Sequence, residues 1–340
     1  MTLQERLSAL SELGRRLQLP DDYLDAVIHR TAFNNGWFTP ENQRKAIQAI
    51  ATRMLDADKL HAWAGRYFLP DAPALKTVGL VMAGNIPLVG WHDVQCVFTA
   101  GHRAQIKLSD KDQYLLPCLL RMLEQIDART AAYFEMVPQL RDFDAVIATG
   151  SNNTSRYFES YFAHVPHIIR RNRNAVAVLD GSESAEALAA LGDDVFRFFG
   201  LGCRNVSKIY VPQDYDFMPL LNALHEYREI VLHDKYKNNF DYNFALYTLN
   251  KTPFYMAGSV MLTENAGFSS RIAALHYERY DKVAALEQQL SAHRDAIQCV
   301  IGRPGLLAHT EVIAFGRAQE PELWDYADGV DTMQFLLLLG

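Results

Sequence analysis

Thr77-Val78-Gly79-Leu80-Val81-Met82-Ala83, followed at once by Gly84-Asn85-Ile86-Pro87, is where the helical pattern of the N-terminal part gives way to something else. The run has strand length and is mostly apolar, as a strand buried on both faces requires, and Gly, Asn and Pro punctuate its end. Residues 88–99 then carry an amphipathic helix pattern, closed at Gly101 by the residue that helix C-termini favour. The alternation repeats. Residues 103–109 read as a second strand, 113–126 as a helix, and 143–149 as a third strand ending in Gly150-Ser151-Asn152-Asn153. Residues 167–171 and 174–180 add two strands, 184–199 a helix and 208–211 a strand. Strands alternating with helices specify an α/β chain built on a doubly wound parallel sheet.

Upstream, residues 1 to about 70 are helical. Leu3, Leu7, Leu10, Leu13 and Leu17 form one stripe, Pro20-Asp21-Asp22 breaks it, and Thr39-Pro40-Glu41-Asn42 starts another helix. Between them Asn34-Asn35-Gly36-Trp37-Phe38 reads as a polar turn with exposed aromatics. Downstream, Asp234–Asn243 reads as a loop, and Phe335-Leu336-Leu337-Leu338-Leu339-Gly340 as a final strand or docking segment.

The chain has 340 residues, 49% hydrophobic and 21% charged, enough for two domains with sizeable cores. A net charge of −7 argues against general nucleic-acid binding, and Arg170-Arg171-Asn172-Arg173 suits a ligand or solvent face better than a DNA stripe. The N-terminus opens directly into a helix pattern, and no run approaches the roughly 20 apolar residues of a membrane span. A cytoplasmic protein without a membrane span is expected.

In a doubly wound sheet, ligands bind beyond the carboxyl ends of the strands. Three strands here end in small or polar residues: Gly84-Asn85, Lys107-Leu108-Ser109 and Gly150-Ser151. The first and third are expected to open directly into helices, whose free N–H groups and dipole favour phosphates and oxyanions. Such turns also prefer Gly, Asn and Ser for conformational reasons alone. Three in succession, with a lysine on the middle one, point to a nucleotide crevice. The G-x-G-x-x-G fingerprint of the usual dinucleotide fold is absent.

Of four cysteines, Cys96, Cys118 and Cys299 sit in apolar runs that read as core, and their spacing makes no disulfide framework or metal site. Cys203 differs. It stands in Phe198-Phe199-Gly200-Leu201-Gly202-Cys203-Arg204-Asn205, where two glycines allow close approach and Arg204 favours the thiolate. A free cysteine is also often a small buried hydrophobe. Late in the chain, His309 is a proton donor or a structural histidine.

In this order, the motifs resemble the aldehyde dehydrogenase superfamily, and within it the bioluminescence-type (LuxC-like) fatty acyl-CoA reductases. The resemblance covers roughly residues 77–212, with a looser likeness beyond. It implies an aldehyde-dehydrogenase-like fold: a helical lead-in over 1–75 packed on a nucleotide-binding domain over 76–175, a catalytic domain over 176–330 and a tail over 331–340. By the same resemblance Asn85 holds the oxyanion together with the Cys203 N–H, Lys107 and Ser109 meet the cofactor ribose, and Gly150 and Ser151 receive its pyrophosphate. Cys203 would be the nucleophile. NADP(H) is the implied cofactor, with NAD(H) as the other option. Hydrolytic members carry a glutamate base where this chain reads Ile168-Ile169-Arg170-Arg171-Asn172-Arg173. The chain is also shorter than typical members. The departure at 168–173 favours reduction of an acyl-CoA over hydrolysis, with an acyl-protein synthetase as partner and a homo-oligomer as the assembled form. Two other readings stand beside it: a cysteine acyltransferase or thioesterase without nicotinamide, and a silent acyl-binding scaffold.

Overall fold

The computed structural model describes residues 1–71, 73–150 and 152–339, with Asn152 in its backbone only. Ser151, an expected cofactor contact, lies outside the described residues. The chain forms two compact units, one of Met1–Asn172 with Glu320–Gly340, the other of Arg173–Gln319.

The first unit begins with four helices: α1 (Leu3–Arg16), α2 (Asp22–Asn34), α3 (Pro40–Ala49), which runs into a π-helical turn Ile50–Met54, and α4 (Ala57–Ala64). Each start has a side-chain cap. Thr2, Asp21, Thr39 and Asp56 accept N–H groups that the first turn leaves unpaired, and Thr2 with Glu5 completes a capping box. Leu7, Leu10, Leu13 and Leu17 are buried as their spacing requires. Phe38 corrects the expectation of an exposed ring: it is 1% exposed. The buried Gln43 donates to both Phe38 O and Ile28 O and draws the turn down onto the helices.

There follow β1 (Thr77–Val81), α5 (Trp91–Ala100), β2 (Arg103–Lys107), α6 (Leu115–Ile126), β3 (Phe134–Met136), β4 (Ala145–Thr149), α7 (Asn152–Tyr161) and β5 (His167–Arg170). They make a parallel sheet in the order β3-β2-β1-β4-β5. The three-residue edge strand β3 is too short to leave a periodic signal. α5 starts at Trp91, not at Leu88, because Leu88 takes a left-handed conformation (φ 56°). Gly84-Asn85 therefore opens into a turn of its own. Gly101 caps α5 with φ 82°, as expected.

The second unit holds β6 (Asn174–Val178), α8 (Ala185–Phe196), β7 (Val206–Pro212), α9 (Met218–His225), α10 (Asp234–Leu249), β8 (Tyr255–Met256), β9 (Met261–Glu264), β10 (Ala274–Tyr280), α11 (Val283–Ala292), β11 (Ile297–Gly302) and β12 (Val312–Ile313). Its sheet runs β12-β11-β6-β7-β10-β9-β8, parallel except for β8. The expected loop over 234–243 is the first part of α10. His233 caps it, and Tyr236 and Asn243 are buried. The C-terminal segment, expected as a strand or docking segment, ends in a helix, α12 (Thr332–Leu337), with Met333 and Leu336 in the first unit's core.

Arg170 corrects the reading of 170–173 as a ligand or solvent face. It is 4% exposed and donates to Asp93 (2.5 Å), Ala327 O (2.6 Å) and Thr332 Oγ1 (3.0 Å). Arg171 is exposed and pairs with Glu159.

Candidate active site

In the first unit the register sets Val81 level with both Lys107 and Ala148, so β2, β1 and β4 end together at one edge of the sheet. From β1 the chain moves outward to β2 and β3, then returns to the other side of β1 with β4. That reversal is where such sheets open a crevice for ligands. Asn85, Lys107, Ser109 and Gly150 all lie at this edge. The Lys107 side chain is exposed, and Gly150 extends the ladder by donating to Arg170 O at 3.2 Å before α7 begins. α7 begins at Asn152, just beyond this strand end, and the first N–H groups of a helix favour phosphates. The two inner turns interlock: a Cβ on Gly84 would sit 2.3 Å from Ser109 Oγ, so only glycine fits. A lysine, a hydroxyl and a glycine turn feeding a helix N-terminus fit the phosphates and ribose of a dinucleotide.

Cys203 belongs to the second unit, on the turn between α8 and β7. The expected helix over 184–199 stops at Phe196, because Phe198 (φ 55°), Phe199 (φ 58°) and Gly200 (φ 74°) are left-handed in succession. That region costs roughly 1–2 kcal/mol for a residue with a side chain. Packing offsets the cost: both phenylalanines are buried, and the Phe199 ring lies 4.3 Å from His233. Asn205, 2% exposed, ties the turn together. Its Oδ1 accepts the Gly202 N–H at 2.8 Å, and its Nδ2 donates to Asp194 O (3.0 Å) and Arg197 O (2.8 Å), two carbonyls that the end of α8 leaves open. Cys203 is left half-buried between residues fixed on either side.

Cys96 and Cys118 are buried as expected, and burial pushes the Cys118 thiol up to about 11. Cys299, expected in the core, is half-buried on β11.

Several residues around the turn carry no signal in the sequence. Asp194 is buried and accepts N–H groups from Gly316 (2.6 Å) and Ala318 (3.0 Å); burial raises its carboxyl to about 7. Beyond β9, three successive carbonyls are pinned. Ala266 O receives Lys208 Nζ (2.7 Å), Gly267 O bonds His276 Nδ1 (2.8 Å), and Phe268 O receives Ser207 Oγ (2.5 Å). Lys208 is itself fully buried and paired with Glu278. The strand that leaves the Cys203 turn thus fixes the loop beside it. His309 is exposed between β11 and β12, its backbone N–H on Glu287.

Among the described residues no group of three or more His, Cys, Asp or Glu side chains could hold a metal ion, and no helix is long and apolar enough to cross a membrane.

No family model matches the chain, and no curated protein matches it. Solved structures do. Aldehyde dehydrogenase 21 of Physcomitrella patens, in complex with the reaction product succinate, superposes with a TM-score of 0.70 at 11% identity, over 100% of this chain and 84% of that one. A benzaldehyde dehydrogenase of Corynebacterium glutamicum, NAD-dependent, gives 0.64 at 13% identity, over 89% and 76%. An NAD-dependent aldehyde dehydrogenase of Sinorhizobium meliloti gives 0.64 at 14% identity, over 89% and 70%. At such identities the likeness is one of architecture, and the architecture of this chain is the aldehyde-dehydrogenase fold.

Proposed function

We propose that the chain is a nicotinamide-dependent oxidoreductase of the aldehyde oxidation level, and that it reduces an acyl-CoA thioester to the aldehyde through an acyl-enzyme on Cys203. The left-handed turn Phe198-Phe199-Gly200 carries the proposal. Backbone strain that packing and a buried asparagine hold in place is characteristic of sites where a side chain must be presented in one geometry. The side chain presented is a half-buried thiol.

In this reading the Cys203 thiolate attacks the thioester carbonyl, a C–S bond forms to the enzyme, and the bond to CoA breaks with departure of its thiolate. Asn85 and the Cys203 N–H stabilise the oxyanion between those events, where one donor is typically worth about 10²–10³ in rate. Lys107, Ser109 and Gly150 hold the dinucleotide. A reduced nicotinamide bound there would supply a hydride, and the Cys203 acyl-enzyme would become a thiohemiacetal. Collapse of that adduct frees the aldehyde and returns the electron pair to the sulfur. Covalent capture divides one hard reduction into two easier steps. Where a glutamate would activate water in a hydrolytic relative, β5 carries Arg170, committed to Asp93.

The test is the intact mass of the protein after exposure to acyl-CoAs of several chain lengths, with NADPH consumption followed in parallel. One acyl adduct on Cys203, lost in Cys203→Ala together with cofactor consumption, is expected. NADPH consumption that survives Cys203→Ala overturns the proposal. Release of CoA without NADPH or NADH consumption would point to a cysteine acyltransferase or thioesterase, and neither event to a scaffold.

A further inference from the structure

Asn85 lies on a turn gripped from both sides by the turn between β2 and α6. On one side Gly84 presses on Ser109 and Lys111, as close as its missing side chain allows. On the other, the left-handed Leu88 donates its N–H to Asp112 Oδ2 at 2.8 Å. A leucine held in that region needs a fixed partner, and Asp112 is the group that supplies one.

The surroundings of Asp112 say what it is for. It is 6% exposed, and its own N–H donates to Ser109 O at 3.1 Å. Met82, Trp91, Leu108 and Leu116 line a small cavity with it, and its Oδ1 makes no hydrogen bond. No titratable side chain of β1, β2, α5 or α6 acts on its charge; only the N–H groups of Leu88 and Leu115 do. A carboxylate buried without a cation is costly. Here it balances no charge, and beside the Leu115 N–H at the head of α6 it holds the Leu88 N–H of a strained turn.

We propose that Asp112 is a positioning residue for Asn85, fixing residues 84–88 in the backbone conformation from which the Asn85 amide acts; this rests on the oxyanion role given to Asn85 above. Burial raises the Asp112 carboxyl to about 6, so it takes up a proton as the pH falls through 6. The neutral acid is a weaker acceptor for the Leu88 N–H, and the turn loosens on the acid side.

Hydrogen–deuterium exchange of residues 84–90 and thioester-reduction kinetics, on wild type, Asp112→Asn and Asp112→Ala, test this together. In Asp112→Ala the Leu88 amide should exchange at least about 10-fold faster, and kcat should fall about 10- to 100-fold, as misplacement of a reacting group does. Added to Asn85→Ala, Asp112→Ala should cost no more than about a further 3-fold, because its effect passes through Asn85. The wild-type rate should decline below pH 6, and Asp112→Asn should lack that decline. Fully additive losses, or unchanged exchange at Leu88, overturn the proposal. If wild type forms no acyl-enzyme, the reading of function falls, while the exchange measurement still decides whether Asp112 holds the turn.

Discussion

Asn205 makes the contacts that turn a glycine-flanked cysteine into a presented one. Its amide serves the Gly202 N–H and two carbonyls of the α8 end at once, all three buried or partly so. Asn205→Ala removes these three hydrogen bonds, at about 1–3 kcal/mol for a buried polar group whose bond is lost. The second unit should lose roughly that much stability in chemical denaturation, and acylation of Cys203 should slow by at least about 10-fold. Acylation at the wild-type rate in a destabilised Asn205→Ala protein would separate the clamp from the chemistry. Asn205 stands in plain view two residues after Cys203, yet its role is invisible in sequence, because its partners are backbone groups whose positions depend on where α8 stops.

At the scale of elements, the Arg170–Asp93 pair binds β5 to α5, and the same guanidinium reaches Ala327 O and Thr332 at the head of α12. Both side chains are largely withdrawn from water. Removing one partner of such a pair strands the other, typically at 3–5 kcal/mol. Arg170→Met should therefore destabilise the first unit by about that amount, and Asp93→Asn in the same chain should restore part of the loss, a non-additivity that a double-mutant cycle reads directly. Additive losses would mean that the contacts to Ala327 and Thr332, and not the ion pair, carry the effect. The elements themselves were largely legible. Capping residues, strand-length apolar runs and the C-cap at Gly101 are local signals, and they placed most of α1 to α8. The misjudged start of α5 and end of α8 share one cause. Leu88, Phe198 and Phe199 continue a helical pattern in sequence but adopt left-handed backbone, which side-chain type alone argues against.

For the whole molecule, the chain leaves the first unit at Asn172, builds the second, and comes back. The returning segment is part of the first unit's core. Leu323, Met333 and Leu336 are fully buried there, Trp63 donates to Tyr326, and Arg53 and Lys59 pair with Glu320 and Glu322. Each of the three apolar side chains is worth about 2–5 kcal/mol, and a whole domain is stable by only about 5–15. Ending the chain at Gln319 should thus unfold the first unit and spare residues 173–319. Limited proteolysis followed by mass measurement should recover the second unit and lose the first; equal resistance of both units would show that the return segment is dispensable. The sequence by itself determined the alternation of strands and helices, the caps, and the small or polar residues at the ends of β1, β2 and β4, because periodicity, capping and turn chemistry act over a few residues. Only the tertiary structure decided that Asp112 grips the Asn85 turn, that Asn205 clamps the Cys203 turn, and that Arg170 is buried against a segment 162 positions away. Those contacts depend on which backbone groups folding leaves buried and unpaired, a property that no stretch of sequence carries alone.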